Sequence, residues 1–180
     1  MLQHFPISLR KKIKTMKNNI IKNAIFEQLQ SNITYYNFNE DFDEDFDDRD
    51  FNQEDAETQA QNIAKKSNMN ILRNQNLNGV LFDSLTKKIV GALWTSDNNY
   101  SFSFDIAIDK DYQGLKLSHI LIKNAIEEYN IQTDYGNYNI PMEVDVINPM
   151  LANILKTKYN FRVIKRISSD RVIMALKKNK

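Results

Sequence analysis

Several residue types are scarce or missing in this sequence of 180 residues, and each absence removes a class of chemistry. There is no cysteine, so disulfides, thiol nucleophiles and thiolate metal sites are excluded. With only two histidines, His4 and His119, we expect no histidine-based metal site. No apolar run approaches the roughly 18 residues of a membrane-spanning helix. The N-terminus shows no secretory signal, so we expect a cytoplasmic protein without a membrane partner.

Charge is nearly balanced over the whole chain but unevenly placed along it. The formal net charge is +1. Residues 1–30 are basic, whereas residues 40–57 form an acidic run. This polarity argues against a uniformly basic surface, so we do not expect a nucleic-acid partner. The acidic run either forms a solvated loop or attracts a cationic acceptor. Its spacing partly resembles a calcium loop, but Asp48 stands where that loop requires glycine.

The apolar pattern predicts an N-terminal helical extension over residues 1–31 and a single domain of mixed α/β structure over residues 32–180. From residue 77 to residue 177 the order is strand, strand, strand, helix, strand, helix, strand, strand. The predicted elements are a helix at 7–30, a strand at 33–38, a helix at 55–67, a hairpin at 77–96, a strand at 100–109, a helix ending near 129, a turn-rich loop at 132–141, a strand at 142–147, a helix beginning at 148 and a hairpin divided at 169–170.

The segment DYQGLKLSHIL, residues 111–121, joins the third strand of this series to an amphipathic helix. The preceding strand alternates apolar with polar or small residues, which predicts one apolar face made by Tyr100, Phe102, Phe104, Ile106 and Ile108. A junction of this kind can bind phosphate through backbone N–H groups at the helix start. Glycine is scarce, with four in the chain, and Lys116 occupies a position where a second glycine is usual.

Two motifs in this region are similar to those of the GNAT superfamily of N-acetyltransferases. The first is Ile-Ala-Ile at 106–108 followed by the Gln-Gly pair 113–114, with Lys116 in place of glycine and Ser118 as the small residue. In the second, Asn148 ends a strand and the residues that match are Ala152, Leu155, Lys158 and Phe161. There Asn160 replaces a glycine, which is consistent with a left-handed helix end. Lys156 stands where the superfamily often has tyrosine.

The resemblance implies a GNAT-like fold, with a mixed and mainly antiparallel central sheet flanked by helices. It also implies an N-acetyltransferase that uses acetyl-CoA as co-substrate and no metal. Direct transfer in a ternary complex would acetylate a primary amine on a small molecule, a polyamine or a protein. The helix start would bind the pyrophosphate, and the strand before it would pair with pantetheine. The implied cofactor-binding residues are Ile106, Ile108, Gln113, Gly114, Leu115, Lys116, Leu117, Ser118 and Asn148.

Amine acetylation needs a base for the ammonium proton and benefits from an acid for the leaving thiolate. The resemblance places an acidic residue at Asp105, our candidate base, with Glu143 and Asp145 on the next strand as alternatives. Because Lys156 is a poor proton donor, Tyr159, three residues on, is our candidate acid. The thiolate could also leave without a dedicated acid.

The same residues leave other functions open. A catalytically weakened module could sense CoA or bind a protein, and the lysines at 116 and 156 motivate that alternative. The basic helix at 7–30 could contact RNA or a membrane, although its apolar face fits docking onto the domain better. A homodimer also stays open, and the pattern does not identify the acceptor.

Overall fold

The computed structural model describes residues 27, 31–38, 53–67, 69, 75–98, 100–136 and 140–177. The predicted helix at 7–30 and most of the acidic run lie outside these residues. The strands are β1 (Ile33–Asn37), β2 (Asn76–Asp83), β3 (Lys88–Asn98), β4 (Ser101–Ile108), β5 (Met142–Val146), β6 (Phe161–Arg166) and β7 (Val172–Leu176). The helices are α1 (Gln53–Lys66), α2 (Ser118–Gly136) and α3 (Pro149–Lys158).

The strands form one sheet in the order β1-β2-β3-β4-β5-β7-β6. Strands β4 and β5 run parallel, whereas the pairs β1–β2, β5–β7 and β6–β7 are antiparallel. This mixed and mainly antiparallel sheet confirms the fold class predicted from the sequence. None of the helices within the described ranges is long and apolar enough to cross a membrane.

The described residues divide into two compact units. Residues up to Trp94 and the segment Ile106–Lys123 form the first unit, and Thr95–Asp105 together with residues from Asn124 onwards form the second. Strands β3 and β4 and helix α2 each contribute residues to both units. The chain therefore passes between the units within strands and a helix.

In the first unit, α1 buries one face against strand residues. Its buried side chains, Ala56, Ala60, Ile63 and Ala64, recur every three or four residues, the period of a helix. They belong to a cluster with Val80, Phe82, Ile89, Ala92, Trp94 and Ala107. Trp94 is therefore a core residue. Acidic residues in the first turn of α1 and lysines in its last turn match the helix dipole.

In the second unit, aromatic side chains join strands to the elements beside them. The ring centroids of Phe102 and Tyr129 lie 5.6 Å apart, and those of Phe104 and Phe161 lie 6.4 Å apart. The Tyr129 hydroxyl also donates a hydrogen bond of 2.8 Å to the Ile140 carbonyl. Each fully buried aromatic or aliphatic side chain contributes about 1.5–3 kcal/mol. These contacts fix β4, α2 and α3–β6 within this unit.

Two elements differ from their predicted form. Helix α2 continues to Gly136, so the turn-rich loop predicted from residue 132 begins later. Thr133 donates from its hydroxyl to the Tyr129 carbonyl, and Gln132 bonds Glu128 one turn earlier, which supports the extra turn. In β4 the predicted single apolar face is wrong, because the buried residues do not keep one alternation along the strand.

The burial of β4 changes phase along the strand. Phe102 and Phe104 are buried, but after Asp105 the buried residue is Ala107, and Ile106 and Ile108 are only half-buried. Tyr100 precedes the strand and is 85% exposed. The change falls where the chain passes from the second unit to the first. Strict alternation in the sequence does not reveal it, because each half of the strand packs in a different unit.

Candidate functional site

In the first unit, a tight turn follows β4 and leads into α2. The Asp109 N–H donates to the Val90 carbonyl at 2.9 Å, which holds the end of β4 against β3. The Asp109 side chain then accepts from the Asp111 N–H at 2.9 Å, and its carbonyl accepts from the Tyr112 N–H at 2.8 Å. A short aspartate side chain suits such a turn because it bonds the backbone two residues on. The turn reverses the chain before Gln113.

Gly114 and Lys116 both have left-handed backbone conformations. Their φ angles are 83° and 60°. Glycine adopts this region freely, whereas a residue with a Cβ pays roughly 1–2 kcal/mol for it. Lys116 thus keeps the backbone conformation of the glycine that it replaces in the motif. A Cβ added at Gly114 would meet no heavy atom within 4 Å, so space is open beside this peptide.

Backbone N–H groups at the start of α2 lie directly after Gly114. Hydrogen bonds of the helix start with His119 and Ile120, which donate at 3.0 Å to the carbonyls of Lys116 and Leu117. Within the described residues, the N–H groups of Lys116, Leu117 and Ser118 have no protein acceptor. Unpaired N–H groups and the positive end of the helix dipole make this segment suitable for an anion.

Residues 114–118 are called the anion-binding turn below. The carbonyl of Ile108 lies next to this segment. Because Asp109 faces β3, the alternation of a strand directs the backbone groups of Ile106 and Ile108 toward the opposite edge. Gln113 donates from its side-chain amide to the Ile108 carbonyl at 3.3 Å. The structure thus brings together two of the predicted cofactor-binding residues, Ile108 and Gln113. The long hydrogen bond leaves the carbonyl able to accept from a ligand amide instead.

A buried hydrogen-bond network holds the turn against the β2–β3 hairpin. The Tyr112 hydroxyl donates to the Asp83 carboxylate at 2.6 Å and lies 3.1 Å from the Thr86 hydroxyl. Thr86 itself donates to the same carboxylate oxygen at 2.9 Å. Tyr112 and Asp83 are both buried. Burial, and then the hydrogen bond to Asp83, raise the pKa of the Tyr112 hydroxyl above its ordinary value.

This network was not predicted from the sequence. The one available signal is that Tyr112 interrupts a polar turn, DKDYQG, with a large side chain. Its partner Asp83 lies 29 residues earlier, and spacing alone does not connect the two. Tyr112 does not belong to the anion-binding turn itself, and it acts by fixing the position of Gln113 and the residues after it.

In the second unit, three carboxylates share one face of the β4–β5 pair. The strands are in parallel register at Phe102–Met142 and Ser103–Glu143. Residues in register, and residues two apart on a strand, point to the same face. Asp105, Glu143 and Asp145 therefore share a face, while Met142 and Val144 are buried on the other. The recorded register ends at Ser103, so β4 continues beyond its pairing with β5.

The three carboxylates differ in their environment. Asp145 is exposed and accepts from the Arg171 guanidinium, with Nε 3.0 Å from each carboxylate oxygen. Asp105 and Glu143 are half-buried. A general base has to contact the proton that it removes, and the arginine already occupies both oxygens of Asp145. Asp145 is thus the least suitable of the three candidate bases.

Asn148 and Tyr159 lie at opposite ends of α3. The Asn148 side chain accepts from the N–H groups of Met150 at 2.9 Å and Leu151 at 3.4 Å and so caps the start of the helix. Pro149 occupies the first turn, where proline is well tolerated. At the other end Tyr159 is the C-cap, and a helix of ten residues separates the two by about 15 Å. Asn148 and Tyr159 therefore do not meet.

The C-terminal end of α3 contains the proposed acid and its neighbours. Lys156 is exposed, whereas Tyr159 is half-buried, and burial raises the pKa of its phenol above the ordinary value. Asn160 has φ 59°, so it closes the helix in the left-handed conformation that the motif predicts. Its side chain donates to the Lys177 carbonyl at 3.3 Å. The phenol is protonated at neutral pH, which a proton donor requires.

Similarity to known proteins is visible in the fold and not in the sequence. No protein-family model and no curated protein matches the chain. Among solved structures, Escherichia coli ElaA is similar with a TM-score of 0.55, at 8% identity over 81% of this chain and 98% of that one. An acyl-CoA N-acyltransferase from Pseudomonas aeruginosa has a TM-score of 0.52, at 10% identity over 81% and 98%.

A third similar structure, an acetyltransferase from Streptococcus agalactiae, has a TM-score of 0.51 at 10% identity, over 81% of this chain and 98% of that one. Two of the three are acyltransferases by name. These similarities show that the chain has the fold of these solved structures, which agrees with the mixed α/β arrangement predicted from the sequence. Sequence identities of 8–10% show a shared fold and do not show a shared activity.

Proposed function

We propose that this protein is an N-acyltransferase that uses acetyl-CoA and transfers its acetyl group to a primary amine. The observation that carries the proposal is the anion-binding turn before α2. Gly114 and Lys116 are left-handed there, three N–H groups lack a protein acceptor among the described residues, and space beside Gly114 is open. CoA carries a pyrophosphate, and this combination of backbone donors and helix dipole suits it.

The chain's own residues fit the rest of the cofactor. Ile106 and Ile108 have backbone groups directed away from β3, which could pair with the amides of pantetheine as a neighbouring strand would. Lys116 adds a cation that could pair with a phosphate oxygen. Asn148 uses its side-chain oxygen for capping, and its amide nitrogen can still donate to the cofactor. When bound, acetyl-CoA supplies an activated acyl group.

Asp105 is the base that we assign to the reaction. A primary amine is protonated at neutral pH and has to lose a proton before it can attack a thioester. Asp105 and Glu143 are half-buried, whereas Arg171 engages both carboxylate oxygens of Asp145, so we assign the role to Asp105 with Glu143 as the alternative. The carboxylates on this face also attract a protonated amine. Tyr159 is the donor that would protonate the departing thiolate.

The test is amine-dependent release of CoA by the full chain. Because the protein contains no cysteine, a thiol reagent detects free CoA without any background from the protein. A polyamine, a lysine-containing peptide and a peptide with a free N-terminus cover the expected acceptors. Substituting Asp105→Asn should lower kcat by about 10²–10⁴-fold if it is the base.

Tyr159→Phe should lower kcat and leave the KM for acetyl-CoA unchanged. Tyr100→Phe is the matched control, because Tyr100 is 85% exposed and should tolerate the change. If acetyl-CoA binds tightly and no amine gives CoA release, the transferase proposal fails.

A CoA-binding module without catalysis is the second candidate. The observation that favours it is the exposed lysine at position 156, where the superfamily often has its proton-donating tyrosine. That module would keep the anion-binding turn and show cofactor binding with no turnover. This candidate is supported if acetyl-CoA binds and CoA is released no faster than in the uncatalysed reaction of acetyl-CoA with the amine.

A further inference from the structure

Strand β6 is an edge of the sheet, and its side chains are exposed after the first residue. Val163, Ile164 and the following Ile167 are exposed by 46%, 44% and 45%. Successive side chains of a strand point to opposite faces, so apolar groups are exposed on both faces of β6. An edge strand of this kind is a template for pairing with another strand.

The hydrogen bonds to β7 show which backbone groups of β6 face outward. The Asn160 carbonyl accepts from Lys177 at 3.1 Å, and the Ile167 N–H donates to Arg171 at 2.9 Å. A shift of register lies between Val163 and Lys165. Backbone groups of alternate residues point to the same side of a strand, so Arg162 and Lys165 face β7 as Asn160 and Ile167 do. The backbone groups of Val163 and Arg166 therefore point away from β7. An incoming strand would bond to these groups.

The exposed charges on β6 are of one sign. Arg162, Lys165 and Arg166 are exposed, and residues 161–171 carry four basic side chains against the single carboxylate of Asp170. The fourth base, Arg171, is held by Asp145. A second copy of the chain fits poorly, because antiparallel pairing centred on Ile164 would set Arg162 opposite Arg166. The charges favour an acidic occupant.

We propose that β6 binds an extended, acidic segment of a partner protein, which adds to the sheet as an eighth strand. Its carboxylates would lie beside Arg162, Lys165 and Arg166, and its apolar side chains would cover Val163, Ile164 and Ile167. This interaction surface needs neither acetyl-CoA nor an amine, so it does not depend on the proposed catalytic activity.

The test uses the full chain and a fluorescent ten-residue peptide in which glutamate alternates with valine or threonine. Fluorescence anisotropy should show saturable binding that weakens with added salt. The same peptide with lysine in place of glutamate should not bind. Lys165→Glu should weaken binding by about tenfold, which corresponds to about 1.4 kcal/mol. Lys123→Glu makes the same change of charge on the exposed side of α2 and should leave the affinity unchanged.

A proline substitution separates strand pairing from charge attraction. Val163→Pro removes an N–H group that points outward, and proline is tolerated at such positions of edge strands. Its circular dichroism and thermal midpoint report whether the fold is kept. If folded, the variant should lose most of the peptide binding while its charge is unchanged. N-methylation of alternate peptide residues should have the same effect on the wild-type protein.

Several outcomes overturn the proposal. Peptide binding that survives both Val163→Pro and N-methylation is charge attraction without strand addition. Equal sensitivity to Lys165→Glu and Lys123→Glu places the peptide elsewhere. Binding of phosphatidylserine vesicles or single-stranded RNA through Lys165, with no binding of the peptide, assigns the surface to a different class of partner.

Discussion

At the scale of single residues, the left-handed backbone conformations connect the sequence motifs with the candidate site. Among the described residues, Lys87, Lys116 and Asn160 are the non-glycine residues with positive φ. Two of these three occupy positions where related motifs carry glycine. The backbone conformation is thus kept although the glycine is not. For Asn160 the exchange costs little, since asparagine visits this region more readily than most residues, whereas for Lys116 it costs more.

Substituting Lys116→Gly should therefore leave the protein as stable as before or raise its free energy of unfolding by up to about 1 kcal/mol. Relief of the left-handed strain outweighs or balances the extra chain entropy of glycine in the unfolded state. Urea denaturation measures this change. If Lys116 pairs with phosphate, the same substitution should weaken acetyl-CoA binding, which calorimetry measures.

Lys116→Ala is the matched control, because it removes the charge and keeps a Cβ in the strained conformation. It should weaken acetyl-CoA binding as Lys116→Gly does, without the gain in stability. Affinity that is unchanged or higher in both variants would show that the lysine does not hold phosphate.

The buried pair Tyr112–Asp83 makes a second prediction at this scale. Tyr112→Phe removes a hydrogen bond of 2.6 Å to a buried carboxylate. Hydrogen bonds to charged groups contribute about 1.5–3 kcal/mol, and the free energy of unfolding should fall by that amount at neutral pH. Tyr129→Phe, which loses a bond to a neutral carbonyl, should lose only about 0.5–1.5 kcal/mol.

The same pair makes stability depend on pH. The folded pKa of Tyr112 is raised above that of an unfolded tyrosine, about 10. Its contribution is fully present below about pH 10 and is lost as the pH rises further, because only the unfolded chain then releases the proton readily. Between pH 9 and pH 11 the wild type should lose stability faster than Tyr112→Phe in urea denaturation. Parallel curves would contradict the prediction.

At the scale of elements, the sequence predicts most strands and helices because their cues are local. Asn148 followed by Pro149 identifies the start of α3, and the apolar runs with short turns identify both hairpins. The change of burial phase in β4 is different. It depends on packing in two separate units, and nothing in the alternation of residues 100–109 encodes it. The extra turn of α2 likewise depends on the side-chain hydrogen bonds of Gln132 and Thr133, which the polar sequence does not predict.

The cap of α3 allows structural and functional roles of Asn148 to be separated. Asn148→Ala removes the acceptor for two N–H groups and should lower the free energy of unfolding by about 1 kcal/mol. Asn148→Asp keeps an acceptor and adds a charge that suits the helix N-terminus, so stability should be kept. Thermal denaturation measures both.

If the Asn148 amide nitrogen donates to the cofactor, Asn148→Asp should still weaken acetyl-CoA binding, because the carboxylate has no N–H group and repels phosphate. Normal stability with normal affinity in Asn148→Asp would restrict the residue to capping.

At the scale of the whole molecule, the predicted site residues fall into two groups, one in each unit. Ile106, Ile108 and residues 113–118 belong to the first, whereas Asp105, Asn148 and Tyr159 belong to the second. The two sequence motifs identify most of these residues, because each motif is a short continuous stretch of the chain. Contacts such as Tyr112–Asp83 and Asp145–Arg171 join distant residues and leave no local pattern. The sequence therefore predicts the backbone conformation of the turn before α2 better than the choice among candidate bases.

Acetyl-CoA binding should be visible as stabilisation of the full chain. A ligand at about 100 times its Kd stabilises the folded state by about 2.7 kcal/mol, and for a chain of this size that raises Tm by about 5–10 °C. Lys116→Ala should reduce the shift, and Tyr159→Phe should keep it while turnover falls. ATP, which offers phosphates without pantetheine, should give a smaller shift than CoA. An equal shift with ATP would indicate a general anion site, and the absence of any shift with acetyl-CoA would rule out both the transferase and the sensor and leave a protein-interaction domain.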